Sequence, residues 1–216
     1  MVRVVPEGRP FIAVALAVLI LLAILAWRLG GAWRFAALGW LPVSLWVVAF
    51  FRNPVRQGAQ DAGLILAPAD GRVVSVAPVE EPDYLGGRAT RVSVFMNVFN
   101  VHVNYHPMDG VVEYRHYRPG KFVNATLDKA SADNEQASLG VRAGARRLLV
   151  RQIAGLIARR IVTDPAVGDS VRQGSRLGLI RFGSRVDTFL PVGARARVRV
   201  GDRTTGGVTV IGEWTP

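Results

Sequence analysis

The chain has 216 residues, half of them apolar, and a formal net charge of +11 at pH 7, yet its mean hydropathy is +0.25. Disorder is excluded because it needs low hydrophobicity, and a disulfide scaffold or thiolate–zinc protein is excluded because there is no cysteine. A very basic chain with positive mean hydropathy concentrates its apolar residues in one place, and the length allows one ordinary domain plus a small appendage.

The apolar residues lie at the N-terminus. Residues 11–27 (FIAVALAVLILLAILAW) and 35–51 (FAALGWLPVSLWVVAFF) are charge-free runs of seventeen residues. Each is near the lower length limit for crossing ~30 Å of hydrocarbon as a helix. The RLGGAWR between them suits a tight turn, so residues 1–51 are expected to form a membrane helical hairpin. A signal peptide competes for the first run, but Trp27, Arg28 and Leu29 stand where a small-x-small cleavage site belongs. Pro42 is expected to kink or break the second helix, which leaves a shallow or re-entrant segment open. Arg3, Arg9, Arg52 and Arg56 flank the pair, against Arg28 and Arg34 in the turn. That imbalance puts both ends in the cytoplasm, and the expected location is the cell (inner) membrane with the second domain on its cytoplasmic side.

Residues 52–216 keep twenty-three basic and fifteen acidic residues, a net +8. Beside a membrane such a domain is drawn to anionic head groups, at about 1 kcal/mol per well-placed cation. Nucleic acid is the other usual partner of a basic face, but no nucleic-acid motif is present. Short runs such as RVVSVAPV, RVSVFMNVFNVHVNYHP, RLGLIRF and VDTFLPV are rich in β-branched and aromatic residues and punctuated by Gly, Pro, Asp and Asn. The expected fold is mainly β, a compact β-barrel or sandwich. Residues 168–180, GDSVRQGSRLGLI, read as turn, short strand, glycine turn and strand. They resemble the hammerhead segment of biotinyl and lipoyl carrier domains. A non-enzymatic membrane-tethered carrier or adaptor is therefore the alternative function, although Lys121 and Lys129, the only lysines, lack a carrier's Met-Lys-Met context.

Chemistry has few places to sit. His102 and His106 are four apart in a strand-like run with no HExxH, so no metal site is expected. Gly183-Ser184 stands between apolar runs as R-F-G-S-R. That is an ordinary hairpin turn by base rate and not a hydrolase elbow, which needs G-x-S-x-G. A sharper reading is backbone chemistry, because a serine after glycine can attack the preceding carbonyl. Asp70-Gly71 and Asp109-Gly110 both read as solvated turns, a description that suits Asp109 better.

Four motifs in order, APADGRV, FMNVFNVHVNYHPMDG, YRPGKFVNATLDKASADNEQ and IRFGSRVD, follow the hydrophobic N-terminus and resemble the phosphatidylserine decarboxylase family, in its short, single-hairpin branch. The resemblance covers essentially residues 52–216 and implies a pyruvoyl enzyme made by self-cleavage between Gly183 and Ser184. Ser184 would attack the Gly183 carbonyl to form an ester. β-Elimination would free residues 1–183 and leave dehydroalanine at 184, which tautomerises and hydrolyses, losing ammonia, to a pyruvoyl cap on residues 184–216.

The resemblance further implies that this ketone forms a Schiff base with the amine of phosphatidylserine, promoting loss of CO2 and giving phosphatidylethanolamine, in the manner of pyridoxal phosphate. Asp70 and His102 match the residues that activate Ser184, and His102 also suits proton transfer in decarboxylation. The longer branch carries a second histidine where this chain has Tyr105; His106, one residue on, differs in register. Lys121, Asn134 and Glu135 are implied contacts for the phosphate or amine. The implied partners are phosphatidylserine in the membrane and the two self-cleavage chains with each other, and a homo-oligomer is compatible with all of this.

Overall fold

The computed structural model of the chain describes residues 2–121, 134–155, 160–181 and 184–215. It divides into two compact units, Met1–Val55 and Arg56–Pro216.

The first unit is a helical hairpin clasped at its ends. Strand β1 (Val2–Val4) leads into helix α1 (Arg9–Leu29); α2 (Ala32–Phe50) follows, and β2 (Arg52–Pro54) pairs antiparallel with β1. Gly30 and Gly31 turn the chain at φ 63° and 53°, backbone that only glycine takes without strain. At 1.5 Å per residue the helices are about 31 and 28 Å long, and both are apolar enough to cross a membrane. α2 runs through Pro42 as one helix, so of the kink or break expected there the break does not occur. Beside Pro42 the two helices are bonded to each other: Trp40 Nε1 and Ser44 Oγ both donate to the Ala15 carbonyl, at 3.0 and 3.2 Å. Neighbouring helices and hydroxyl side chains commonly rescue proline in apolar helices.

The second unit is built of β-strands. They are β3 (Leu64–Leu66), β4 (Gly71–Glu81), β5 (Gly87–Met96), β6 (Val103–Tyr105), β7 (Gly110–Arg118), β8 (Gln136–Ala143), β9 (Arg146–Ala154), β10 (Ile161–Thr163), β11 (Ser170–Val171), β12 (Arg176–Ile180), β13 (Ser184–Pro191), β14 (Ala194–Ala196), β15 (Arg203–Thr204) and β16 (Val210–Trp214). Eight of them form one curled antiparallel sheet in the order β11-β7-β8-β9-β13-β5-β4-β15. The small sheets β10-β12-β6 and β14-β16-β3 complete the unit. The main core uses one face of the large sheet, with Val94, Met96, Leu139, Val150 and Val186, against Leu177, Ile180 and Ile211 from the small sheets.

The hammerhead-like stretch forms the elements its sequence announces: a turn with Gly168 at φ 97°, β11, a turn with Gly174 at φ 75°, and β12.

β13 is a central strand. All its residues but Pro191 are buried, so its sequence lacks the alternation of a half-exposed strand. Val186 and Leu190 enter the main core, while Phe189 packs on the other face with Leu149 and Ala89. Arg185 and Asp187 also point to that other face and are fully buried as an ion pair, Nε to Oδ1 2.8 Å.

Both Asp-Gly pairs open strands. Gly71 begins β4 and Gly110 begins β7, each at φ 155°. A Cβ at Gly71 would stand 2.1 Å from the Phe95 carbonyl oxygen, and one at Gly110 would stand 2.4 Å from that of Arg142. The glycines are thus required by close backbone approach across the sheet.

Candidate active site

Ser184 is the first residue of β13. It lies opposite Met96 of β5 on one side and Ala154 of β9 on the other. Its side chain is fully buried, and its Oγ has no hydrogen-bond partner among the described residues. A buried hydroxyl left in this way costs about 1–3 kcal/mol, an expense a fold tolerates where the group has chemistry to do. Gly183 lies outside the described residues, as do Lys129 and most of the polar segment 119–136.

His102 stands in the loop between β5 and β6, fully buried. Its Nδ1 is 3.0 Å from the Asn100 carbonyl oxygen. A carbonyl only accepts, so Nδ1 carries the proton and Nε2 is the basic nitrogen of the neutral ring. The His102 carbonyl receives the Ile180 amide at 3.3 Å, which ties the histidine to the end of β12, four residues before Ser184.

Asp70 immediately precedes β4. Extending the Arg72↔Phe95 register by one residue sets Gly71 opposite Met96, which is itself opposite Ser184. Asp70 is therefore at the same end of the sheet as Ser184 but two strand spacings away, about 10 Å. Its described partners are Arg56, whose Nη2 reaches both carboxylate oxygens at 2.9 and 2.8 Å, and the Gly206 amide at 2.8 Å. Arg56 also lies 5.9 Å from the centre of the Tyr105 ring. Burial raises the Tyr105 phenol above its usual value, and the nearby Arg56 opposes this.

The remaining predicted residues divide. Asn134 is fully buried, and its Nδ2 donates to the Ala154 carbonyl at 2.7 Å, beside Ser184 on the neighbouring strand. Glu135 is nearly buried, its amide accepted by the Lys121 carbonyl and its carbonyl accepting the Ala154 amide, at 3.1 and 3.0 Å. Lys121 is exposed and bridges Asn134 through the backbone. His106 lies apart. It follows β6, four residues and ~13 Å of extended chain beyond His102, with its amide on the Ser175 carbonyl. It lines an open cleft of about 500 Å³ with Asp164, Asp169, Arg172 and Arg176. Burial holds its imidazole down to a pKa of about 4.

Comparison with known proteins adds to this geometry. The family model for phosphatidylserine decarboxylase matches residues 43–212. This chain belongs to the phosphatidylserine decarboxylase family. A phosphatidylserine decarboxylase proenzyme of Symbiobacterium thermophilum is 49% identical over 207 residues, covering 95% of this chain and 93% of the relative. Proenzymes of the same name from Nitrosomonas europaea and Aromatoleum aromaticum are each 48% identical, with 96% of this chain and 94% of theirs covered.

Two features around Ser184 and Asp70 had no signal in the sequence. Arg56 sits in an unremarkable stretch after the hairpin and is tied to Asp70 only by folding. Beneath Ser184, Gln152 Nε2 donates to Asn104 Oδ1 at 2.8 Å while its Oε1 accepts from Thr163 Oγ1 at 2.7 Å, and Asn104 Nδ2 reaches Met96 Sδ at 3.7 Å. That chain of polar side chains joins β6, β9 and β10 and reaches β5 through Met96, the residue opposite Ser184. Among the described residues, no three of His, Asp and Glu gather as metal ligands do.

Proposed function

We propose that the protein is a proenzyme that cleaves itself between Gly183 and Ser184 and then decarboxylates phosphatidylserine to phosphatidylethanolamine at a membrane surface. The observation that carries this reading is the buried Ser184 hydroxyl without a described partner at the head of a central strand, in a chain about half identical to decarboxylase proenzymes. A serine so placed fits a residue that is consumed to make a pyruvoyl group. When formed, that group supplies an electrophilic carbonyl that takes the substrate amine and accepts the electron pair left by departing CO2.

The chain's own residues do the rest. His102, with Nδ1 fixed on the Asn100 carbonyl, offers Nε2 to take the Ser184 proton during self-cleavage and to move a proton in decarboxylation. Asp70, oriented by Arg56 and Gly206, supplies negative charge at the same end of the sheet. The Asn104–Gln152–Thr163 chain and the Asn134–Ala154 contact hold the strands on either side of Ser184 while the chain is cut. The apolar hairpin keeps the protein on the cytoplasmic face of the cell membrane, where the lipid substrate resides, and β13 stays hydrogen-bonded between β9 and β5 as the two chains separate covalently.

Intact mass of the purified protein tests the proposal. The expected result is two chains, residues 1–183 and 184–216, the second blocked by a ketone. A single uncut chain of 23.4 kDa that is inactive on phosphatidylserine would overturn it.

A further inference from the structure

Asp70 ends a short strap, residues 67–70, that leaves β3 and enters β4. Each residue of the strap is bonded from outside it. The Ala67 carbonyl accepts the Gly207 amide at 2.8 Å, the Pro68 carbonyl accepts the Tyr105 amide at 2.9 Å, and the Ala69 carbonyl accepts the Thr204 hydroxyl at 2.9 Å. The Asp70 carboxylate takes Arg56 and the Gly206 amide. The donors therefore come from three places: Arg56, the end of β6, and the turn that follows β15.

Tyr105 is where these three meet. It closes β6 and is only 4% exposed. Its amide holds Pro68, two residues before Asp70. Its phenol oxygen accepts a hydrogen bond from the Arg56 guanidinium. Burial raises the phenol above its usual value, so at neutral pH it keeps its proton and offers Arg56 an uncharged acceptor. Its ring lies against the glycine pair of the turn. A Cβ at Gly206 would stand 2.8 Å from Tyr105 Cδ2, and one at Gly207 would stand 3.3 Å from Cγ. Gly206 is not among the glycines with positive φ, so it is the room taken by the ring, together with Ala69, that demands glycine there.

We infer that Tyr105 is a positioning residue for Asp70. Its ring seats the Gly206–Gly207 backbone so that the Gly206 amide meets one carboxylate oxygen, and its phenol orients Arg56 so that Nη2 spans both. An arginine side chain has much rotamer freedom to lose, and its planar fork binds a carboxylate well in few orientations. A second acceptor on the same guanidinium removes that freedom before the carboxylate is engaged. Tyr105 follows His102 by three residues, so the stretch that carries the histidine also carries the support of the aspartate. The inference rests on the reading above in which Asp70 takes part in self-cleavage.

Tyr105→Phe keeps the ring and removes the acceptor for Arg56. The full-length chain is made by cell-free synthesis in the presence of bilayer discs, and conversion of precursor into two chains is followed by pulse-chase on a gel. Tyr105→Phe is expected to cut several-fold more slowly than wild type. Arg56→Ala and the double variant should cut at the same rate as each other, because without the guanidinium the phenol has nothing to act through. A residue that merely holds the fold would slow both backgrounds by the same factor. Equal factors in the two backgrounds, or wild-type cutting by Tyr105→Phe, would overturn the positioning. The same cycle in the Ser184→Ala chain, read as urea midpoints, decides the matter where cutting is too slow to time: losses that are less than additive support the link through Arg56, and fully additive losses overturn it. A wild-type chain that stays uncut while the midpoints remain coupled would strike the self-cleavage reading and leave the link supported.

Discussion

Arg56 grips Asp70 with one nitrogen against both carboxylate oxygens, 2.9 and 2.8 Å away, and the Gly206 amide adds a third donor. The aspartate that family resemblance pairs with His102 and Ser184 is thus fixed by two groups outside that trio. Both side chains of the pair are only 15% exposed, so the interaction is screened less than a surface ion pair. Replacing Arg56 by Ala leaves a half-buried carboxylate with one partner fewer. The expected cost is about 1.5–3 kcal/mol in urea unfolding, with uncut precursor accumulating on a gel. Arg56→Lys keeps the charge but loses the planar guanidinium and should fall between the two. An Arg56→Ala protein of wild-type stability that cleaves at the wild-type rate would show that the pair holds nothing of consequence.

Ser184→Ala removes a hydroxyl that has no described partner. It should therefore abolish cleavage without weakening the fold: one chain on the gel, no decarboxylation, and an unfolding midpoint equal to or above that of an uncut wild-type sample. Removing a buried hydroxyl that makes no bond relieves a desolvation cost rather than losing an interaction. A large loss of stability in Ser184→Ala would instead mean that the hydroxyl is structurally bonded.

His106 makes pH matter for stability. Burial lowers its pKa from 6.5 to about 4, so the unfolded chain binds more protons than the folded one between those values. Its contribution is complete above about pH 6.5 and is lost as the pH falls toward 4, amounting to about 3 kcal/mol over the whole window. Urea unfolding at pH 7 and pH 5 should show wild type losing stability on acidification and His106→Gln losing markedly less. Equal losses would place the acid sensitivity elsewhere.

The hairpin and the β-rich remainder were legible because hydropathy runs and β-branched patterning report burial directly, and GDSVRQGSRLGLI announced its turns through Gly168 and Gly174. The continuity of α2 was not legible, since the bonds that tie it to α1 beside Pro42, from Trp40 and Ser44 to Ala15, span twenty-five and twenty-nine residues. The ordered motifs named Ser184, His102 and Asp70 as candidates. They said nothing of Arg56, or of Gln152 bridging Asn104 and Thr163, because a buried polar contact leaves no periodicity. His106, adjacent in sequence to the histidine run, is carried by strand geometry away from the end where Ser184 sits.

The Arg185–Asp187 pair gives the last test. Both side chains are fully buried on the strand that begins at Ser184, and Nη2 of Arg185 donates to Asp187 Oδ2 at 2.9 Å alongside the Nε contact. Two charges withdrawn from water roughly break even against an apolar replacement of similar size, but removing one strands the other. Arg185→Met should therefore cost about 3–5 kcal/mol, while Arg185→Met with Asp187→Leu should recover most of that loss. If the pair also fixes the register of β13, the double variant will fold yet cleave more slowly than wild type, because Ser184 is only one residue from the altered anchor. Comparing unfolding midpoints with the fraction cleaved after a fixed time separates the two effects. A double variant as unstable as the single one would show that the pair is bound into a wider polar network on that face, in which Arg151 and Glu81, 3.4 Å apart, are the next residues to examine.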